Sequence, residues 1–440
     1  MINFVFNHNH NLLPPASENT IPVQLYKLSG KIRNDVSFVG SPVLNKIKRL
    51  RGYVSPQAMD FLSIALAVTA ADTFVQRSKS SDGWTREFRI KLPICDPVRW
   101  EPLKHKVEKA LHFLSGDLWE FTFSPGGHPP PRPYRSRKER TEVIKLRNRD
   151  CVCLFSGGLD SAIGVIDLLS RGKSPLLVSH SYRGDKSFQE GIASSLPGQF
   201  SRLSASLSPR IALLKQGKTD ITMRTRSLSF LALGALGISA LNSVQQNGPI
   251  DFFVPENGFI SLNTPLTPRR IGSLSTRTTH PFFISAIQEI FDEVGIPGII
   301  KNPYQFDTKG EMGKKCLNQD LLKIIVDKTI SCSHWKRNNE QCGACVPCLI
   351  RRAALHESNI TELLNYSSNS LTDVLTQVDK RDDLLAMLIA LNRKSSSNIS
   401  SWITDAGPLP IEQLDDFKAL FLRGLSEVKN YLQSEGIKCP

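Results

Sequence analysis

The chain reads as an α/β protein organised around a mainly parallel sheet, and three observations predict this. The apolar run at residues 151–155 (CVCLF) has the length of a buried strand and leads through a Gly-Gly turn into a helical stretch over 160–169. Further strand-sized runs at 175–179 (PLLVS) and 251–255 (DFFVP) are separated by a long helical stretch over 227–242. Strands that are apolar throughout, instead of alternating, belong to sheets covered on both faces.

The segments flanking this unit read differently. Residues 1–125 are expected to form a separate small α/β accessory unit. Within it 59–75 (MDFLSIALAVTAADTFV) is a buried helix and 86–94 alternates like a strand. Residues 100–114 repeat at helical spacing, and 118–123 (LWEFTF) is strand-like again. Nothing in this unit has a catalytic pattern. The run SPGGHPPPRPYRSRKER that follows is rich in Pro, Gly and Arg, and 126–150 is read as a linker. The sheet unit occupies 151–358. A helical C-terminal region then spans 359–440, interrupted by a Ser/Asn-rich stretch at 395–401 and ending in an amphipathic helix over about 411–432.

Composition narrows the class of protein. With 440 residues, 40% apolar and 22% charged, the chain has the balance of a globular protein of two or three domains. Its net charge of +14 favours an anionic partner such as a nucleotide, nucleic acid or an acidic protein. The densest basic stretch comprises Arg132, Arg135, Arg137, Lys138, Arg140, Lys145, Arg147 and Arg149. It lacks interleaved aromatics and helical spacing, so a solvated linker is the expectation. The apolar run at 228–241 is too short to span a bilayer, and the N-terminus lacks the pattern of a signal peptide. A cytoplasmic protein with no membrane partner is expected. Its nine cysteines are then reduced, so a cluster among them suggests metal before disulfide. Cys95, Cys151, Cys153, Cys316 and Cys439 are scattered and are expected to be small buried hydrophobes or inert thiols.

Two motifs carry chemistry. In SGGLDS, Gly157 and Gly158 stand between a strand and a helix, where residues without side chains bring backbone amides close to phosphate oxygens. The helix beginning near Asp160 points its positive end at the same place. Ser156 and Ser161 add hydroxyls, and Asp160 is placed to hold Mg²⁺ on the phosphates of ATP. No lysine follows the glycines, so this is not the G-x-x-x-x-G-K-[ST] loop. The second motif is Cys332, Cys342, Cys345 and Cys348, the last three at two-residue intervals around a glycine. Four thiolates with one ligand from further away suit tetrahedral, structural Zn²⁺. An iron–sulfur cluster also uses four thiolates, but the knuckle form favours zinc. His334 lies inside the loop and is not expected to be a ligand.

The SGGLDS turn resembles the PP-loop of the N-type ATP pyrophosphatases. Taken with the downstream C-x9-C-G-x-C-x-x-C-x-x-R pattern ending at Arg351, it resembles the 7-cyano-7-deazaguanine synthase (QueC) family over roughly residues 150–358. Arg226 with SLSFLALGAL resembles that family's R-N-x-x-F-L helix, and Lys309 and Glu311 in DTKGEM resemble its K-A-E segment. The resemblance implies adenylation of 7-carboxy-7-deazaguanine by ATP with Mg²⁺, displacement of AMP by ammonia, and dehydration of the amide to the nitrile. Three features depart from that pattern: the front unit, the helical tail and the long Arg/Thr-rich segment at 254–281. They resemble the QueC-like proteins of bacterial antiviral operons. That group is understood to stop at the amide, with the N-terminal glycine of a partner protein as the amine. A homodimer is compatible with this reading.

For the base, Glu256 in an ENG turn with Asn257, after a strand end, is the candidate acceptor for deazaguanine N–H groups. Arg224, Arg226, Arg277 and Lys309 are candidates for the carboxylate or the α-phosphate, Lys309 also as a catalytic residue beside Asp160 and Ser161. Thr278, Thr279 and His280 read as part of a lid, with His280 as either a general base or a helix-entry residue. Two other functions are weighed against this ligase: a stand-alone nitrile-forming synthase for tRNA or DNA modification, and a nucleotide-binding subunit without turnover.

Overall fold

The structure is a computed structural model of residues 1–440, described here except at 28–32, 135–142, 182–183, 213–218, 221–223, 247, 268–276, 333–339, 394–397 and 440. Its first half contains β1 (Ile2–Asn7), β2 (Thr20–Leu25), β3 (Ser37–Val39), α1 (Val43–Arg49), α2 (Pro56–Phe74), β4 (Glu87–Ile94), α3 (Pro97–Trp100), α4 (Lys104–Ser115) and β5 (Leu118–Pro125). After them come β6 (Cys151–Leu154), α5 (Leu159–Ser170), β7 (Pro175–His180), α6 (Asp185–Ala193), β8 (Ser201–Ala205), α7 (Arg226–Gln245), β9 (Ile250–Phe253), α8 (Gly258–Ser261), α9 (Pro281–Val294) and β10 (Gly298–Lys301). The remainder is helical: α10 (Lys309–Lys315), α11 (Gln319–Ile325), α12 (Val346–Glu357), α13 (Leu371–Thr376), α14 (Asp382–Arg393), α15 (Ile399–Thr404) and α16 (Leu414–Ser434).

Two five-stranded sheets organise the chain, in the orders β3-β2-β1-β4-β5 and β10-β9-β6-β7-β8. Every pairing in both is parallel. The two orders are equivalent, since each sheet starts on a central strand, builds outward to one edge and then returns to build the other. In the second sheet this places the reversal between β6 and β9, and in such sheets ligands bind beyond the carboxyl ends of the strands at that point.

The two sheets are not independent. Helix α2 covers β2, β3 and β4, α7 covers β6, β7 and β9, and α2 and α7 pack on each other. Both are apolar nearly all round, as a helix buried on every side requires. Between them Thr69 Oγ1 and Ser229 Oγ share a hydrogen bond of 3.0 Å. One continuous apolar core therefore runs from Phe4 and Phe88 through α2 and α7 to Val152 and Phe252, crossing the boundary expected at 126–150. The edge strand β3 is also stitched to the segment after β8, with Phe38 and Arg210 exchanging backbone hydrogen bonds of 2.9 and 2.8 Å.

Length and composition alone would let α7 cross a membrane, but 78% of its most apolar window is buried between the sheets. Elsewhere the basic stretch is not uniformly solvated. Arg132, Lys145 and Arg147 are exposed, but Arg149 is buried and reaches Gln199; positions 135, 137, 138 and 140 lie outside the described residues. Helix α15 begins inside the Ser/Asn-rich stretch, because Asn398 caps it by accepting from the amides of Ser400 and Ser401. Of the five scattered cysteines, Cys151, Cys153 and Cys316 are buried and Cys95 and Cys439 are partly exposed.

Candidate functional site

The Gly-Gly turn leaves the carboxyl end of β6 at the reversal point of the second sheet. Gly157 has φ +89°, the left-handed region that a side chain disfavours, and an added Cβ would lie 3.2 Å from Gln189 Cγ. Gln189 Nε2 in turn donates to the carbonyl of Ser156 at 3.2 Å. Gly158 is the N-cap of α5, and its amide donates to Ser156 Oγ at 3.2 Å. Ser161 Oγ donates to the carbonyl of Gly158 at 2.9 Å and lies 3.2 Å from Ser156 Oγ. The amides of Leu159 and Asp160 have no acceptor among the described residues. A tight turn, two hydroxyls and the positive end of a 12-residue helix thus converge, an arrangement suited to an anion.

Asp160, expected to hold Mg²⁺ on the phosphates, is engaged by neighbouring protein groups. It is 5% exposed. Its Oδ1 lies 2.7 Å from Lys309 Nζ, while Oδ2 accepts from the amide and the side-chain nitrogen of Asn257 at 3.1 and 2.7 Å. Burial opposes its charge, but Lys309 and these hydrogen bonds outweigh it and hold the carboxyl well below the usual carboxylate range. Glu256 is the complement. Burial and the neighbouring Asp160 charge raise its pKa well above the ordinary value. Glu256, the expected acceptor for a base, thus lies in the same charged group as Asp160 and Lys309.

Lys309 is the first residue of α10, and the capping box of Thr308 and Glu311 fixes the helix start. Residues from the tail brace it, which sequence reasoning missed. Glu427 of α16 hydrogen-bonds Thr308 Oγ1 and accepts from the amide of Gly310 at 3.3 Å. Arg423 of the same helix donates to Glu311 at 2.7 Å. The periodicity of α16 shows its apolar face, but nothing local marks Glu427 as an inward-facing acid.

The candidate arginines do not join this group. Arg226 pairs with Asp185 at the start of α6. Arg224 lies over the Trp84 ring at 4.1 Å, and Arg277 lies over the Phe113 ring at 4.6 Å. His280 is fully buried as the N-cap of α9, with Nδ1 accepting from the amide of Phe282. Burial and nearby Arg277 lower its pKa to about 3, so it is a neutral helix-entry residue. Thr279 Oγ1 accepts from Ser261 Oγ at 3.1 Å.

The four cysteines do come together, with all sulfurs within 4.8 Å of one another. Zn–S bonds of about 2.3 Å in a tetrahedron place sulfurs about 3.8 Å apart. Here Cys342–Cys348 and Cys345–Cys332 are both 3.9 Å apart, far beyond a disulfide. The amides of Cys342 and Cys345 donate to Cys332 Sγ and Cys342 Sγ, each at 3.3 Å, as suits thiolates. Gly343 has φ +80°, and a Cβ there would meet the Ser368 carbonyl at 2.5 Å, so the turn needs glycine. These residues fit a zinc ion; His334 lies outside the described residues. Arg351 is fully buried and structural, donating to Glu362, Thr329 Oγ1 and the Val326 carbonyl.

Fold and site define a mixed α/β protein of two parallel five-stranded sheets, carrying a four-cysteine group that could hold zinc. No protein-family model matches the chain, and no curated protein matches it either.

Proposed function

We infer that the protein is an ATP-dependent, AMP- and pyrophosphate-forming C–N ligase of the QueC-like type. It adenylates the carboxylate of 7-carboxy-7-deazaguanine and transfers the acyl group to an amine, the N-terminal glycine of a partner protein. The observation that carries this is the SGG turn, with Gly157 at positive φ and α5 opening beneath it at the reversal point of the sheet.

The chain's own residues supply positioning and charge. The amides of Leu159 and Asp160 and the hydroxyls of Ser156 and Ser161 would bind the pyrophosphate portion of ATP. Asp160 acts as a positioning residue, since its carboxylate anchors Lys309 and Asn257 beside the turn. Lys309, balanced by Asp160, adds positive charge where the α-phosphate would lie. Mg²⁺ bound with ATP would neutralise phosphate charge as pyrophosphate leaves. A zinc ion held by Cys332, Cys342, Cys345 and Cys348 would have four protein ligands and no open position, and so would be structural. Adenylation turns a carboxylate into a good acyl donor. An α-amine with pKa about 8 is neutral often enough at pH 7 to attack it once both are held together. The front unit and tail would provide docking surface for a protein nucleophile.

Intact-mass spectrometry tests this with the full chain, ATP, Mg²⁺, 7-carboxy-7-deazaguanine and either ammonium or a partner bearing an N-terminal glycine. The expected result is a partner mass gain equal to the acid minus water, lost in Gly157→Ala. Free nitrile base with an unmodified partner would make the protein a stand-alone synthase. Nucleotide binding without AMP formation would make it a binding subunit.

A further inference from the structure

The first sheet has a reversal point of its own. Its strand order places that point between β1 and β4, and ligands of parallel sheets bind there, beyond the carboxyl ends of the strands. His8 is the residue after β1, and Cys95 is the residue after β4. The run after β5, expected to be a linker, brings His128 to the same place. Gly127 donates its amide to the Ile94 carbonyl at 3.0 Å, and a Cβ on it would lie 2.3 Å from the Cys95 nitrogen, so the approach needs glycine. Cys95 Sγ donates to the His128 carbonyl at 3.3 Å. His8, Cys95 and His128 are partly exposed, so the group opens to solvent. It shares no residue with the site around Asp160.

Hydrogen-bonding capacity is left over at this point. Gln24 of β2 is 1% exposed and donates Nε2 to the His8 carbonyl at 3.1 Å, which fixes the nitrogen end of its amide. Its Oε1 is buried without a partner among the described residues, and so is His8 Nδ1. A buried acceptor without a donor is costly, and a ligand N–H would offset that cost. His128 Nδ1 lies 2.7 Å from the Pro129 carbonyl, which can only accept. Nδ1 therefore carries the hydrogen, and Nε2 of the neutral ring is an acceptor. Burial holds the His128 pKa below its ordinary value, which favours that neutral ring. The acid beside them, Asp60, already accepts from the amides of Cys95 and Asp96 at 2.6 and 3.0 Å.

We propose that this end of the first sheet binds a neutral, planar nitrogen heterocycle, whose amino or ring N–H groups are met by Gln24 Oε1 and His128 Nε2. Ring walls suit a flat ligand: the His8 and Tyr26 rings lie 5.9 and 5.3 Å from that of His128. Two bare acceptors select a ligand that donates and disfavour an oxyanion. The inference is independent of the ligase reading.

The test is site-resolved histidine labelling of the full-length protein with diethyl pyrocarbonate, read by peptide mass spectrometry, with adenine as the probe. The reagent attacks an unprotonated ring nitrogen, so a ligand seated on Nε2 should slow labelling of His128. Unsubstituted purine, the same ring without the amine, should need roughly tenfold higher concentration for equal protection, the size of one net hydrogen bond. Gln24→Met keeps the side-chain volume, loses the acceptor and should weaken protection by adenine by a similar factor. Protection should survive in Gly157→Ala, so failure of the nucleotide reading would not mimic failure here. His128 left unprotected in wild type, equal protection by purine, or protection lost in Gly157→Ala would overturn the proposal. Were Gln24→Met not to fold, the comparison of adenine with purine on wild type still decides.

Discussion

The amide of Ile330 donates to the carbonyl of Gly157 at 3.1 Å, so the segment entering the cysteine knuckle rests on the Gly-Gly turn. The carbonyl of Ile330 also lies 3.4 Å from where a Cβ on Gly158 would stand. Two residues further on is Cys332, the first of the four sulfurs. Arg351 ties the same segment to α12 through Thr329. The order of the knuckle therefore supports the shape of the turn, although the two motifs are far apart in sequence.

That contact gives the first prediction. Elemental analysis should find one zinc per chain. Cys345→Ser should lose the metal and cost on the order of 3 kcal/mol of stability, because the knuckle has little else to hold it. ATP binding measured by calorimetry should weaken with it. A metal-free variant that binds ATP as tightly as wild type would separate knuckle from turn.

Gly157→Ala tests the turn directly. Holding alanine at φ +89° costs about 1–2 kcal/mol, and its methyl would press on Gln189. The protein should still fold, with a modest fall in melting temperature, while AMP formation drops by more than about tenfold as the backbone amides shift. Unchanged turnover would remove the turn from the site.

The buried pair of Lys309 and Asp160 should behave as a unit. Asp160→Asn leaves an ammonium buried without its counter-charge, at a cost of about 3–5 kcal/mol. Lys309→Met alone should be similarly harmful. The double variant should recover much of that loss in denaturant titrations, as a non-additive cycle. Strict additivity would show that the two charges do not interact.

Glu427 sets a pH dependence. Its pKa rises from the ordinary 4.5 to about 7 because burial disfavours the carboxylate. In the folded chain it keeps a proton that the unfolded chain has released between these values. Stability from this group is thus present below about pH 4.5 and lost as pH rises toward 7. The total is on the order of 3 kcal/mol. Glu427→Gln, which mimics the protonated acid toward Thr308 and Gly310, should flatten that part of the profile. A variant with the wild-type slope between pH 5 and 7 would assign the effect elsewhere.

Much of the fold was legible because its signals are local. The strand at β6, the helix at α5, the strands β7 and β9 and the long α7 follow from runs of apolar residues whose length and flanking glycines settle their type. The spacing of Cys342, Cys345 and Cys348 fits a single turn, and the structure gathers them with Cys332. The separate unit expected at residues 1–125 shares one apolar core with the second sheet. An all-apolar helix such as α2 reads as buried without revealing what buries it, and α7 supplies much of that cover.

By itself the sequence determined the Gly-Gly turn between strand and helix, the sulfur cluster and the alternation that makes a parallel sheet. Each depends on backbone conformation or spacing within a few residues. Only the tertiary structure decided that Asp160 faces Lys309 and Asn257, that Asp160 and burial raise the pKa of Glu256, and that Arg226 goes to Asp185 while Arg277 goes to a separate cleft. Those outcomes depend on which charges packing brings within a few ångströms in a dry interior, where pairing and desolvation are strong and the residues concerned come from distant parts of the chain.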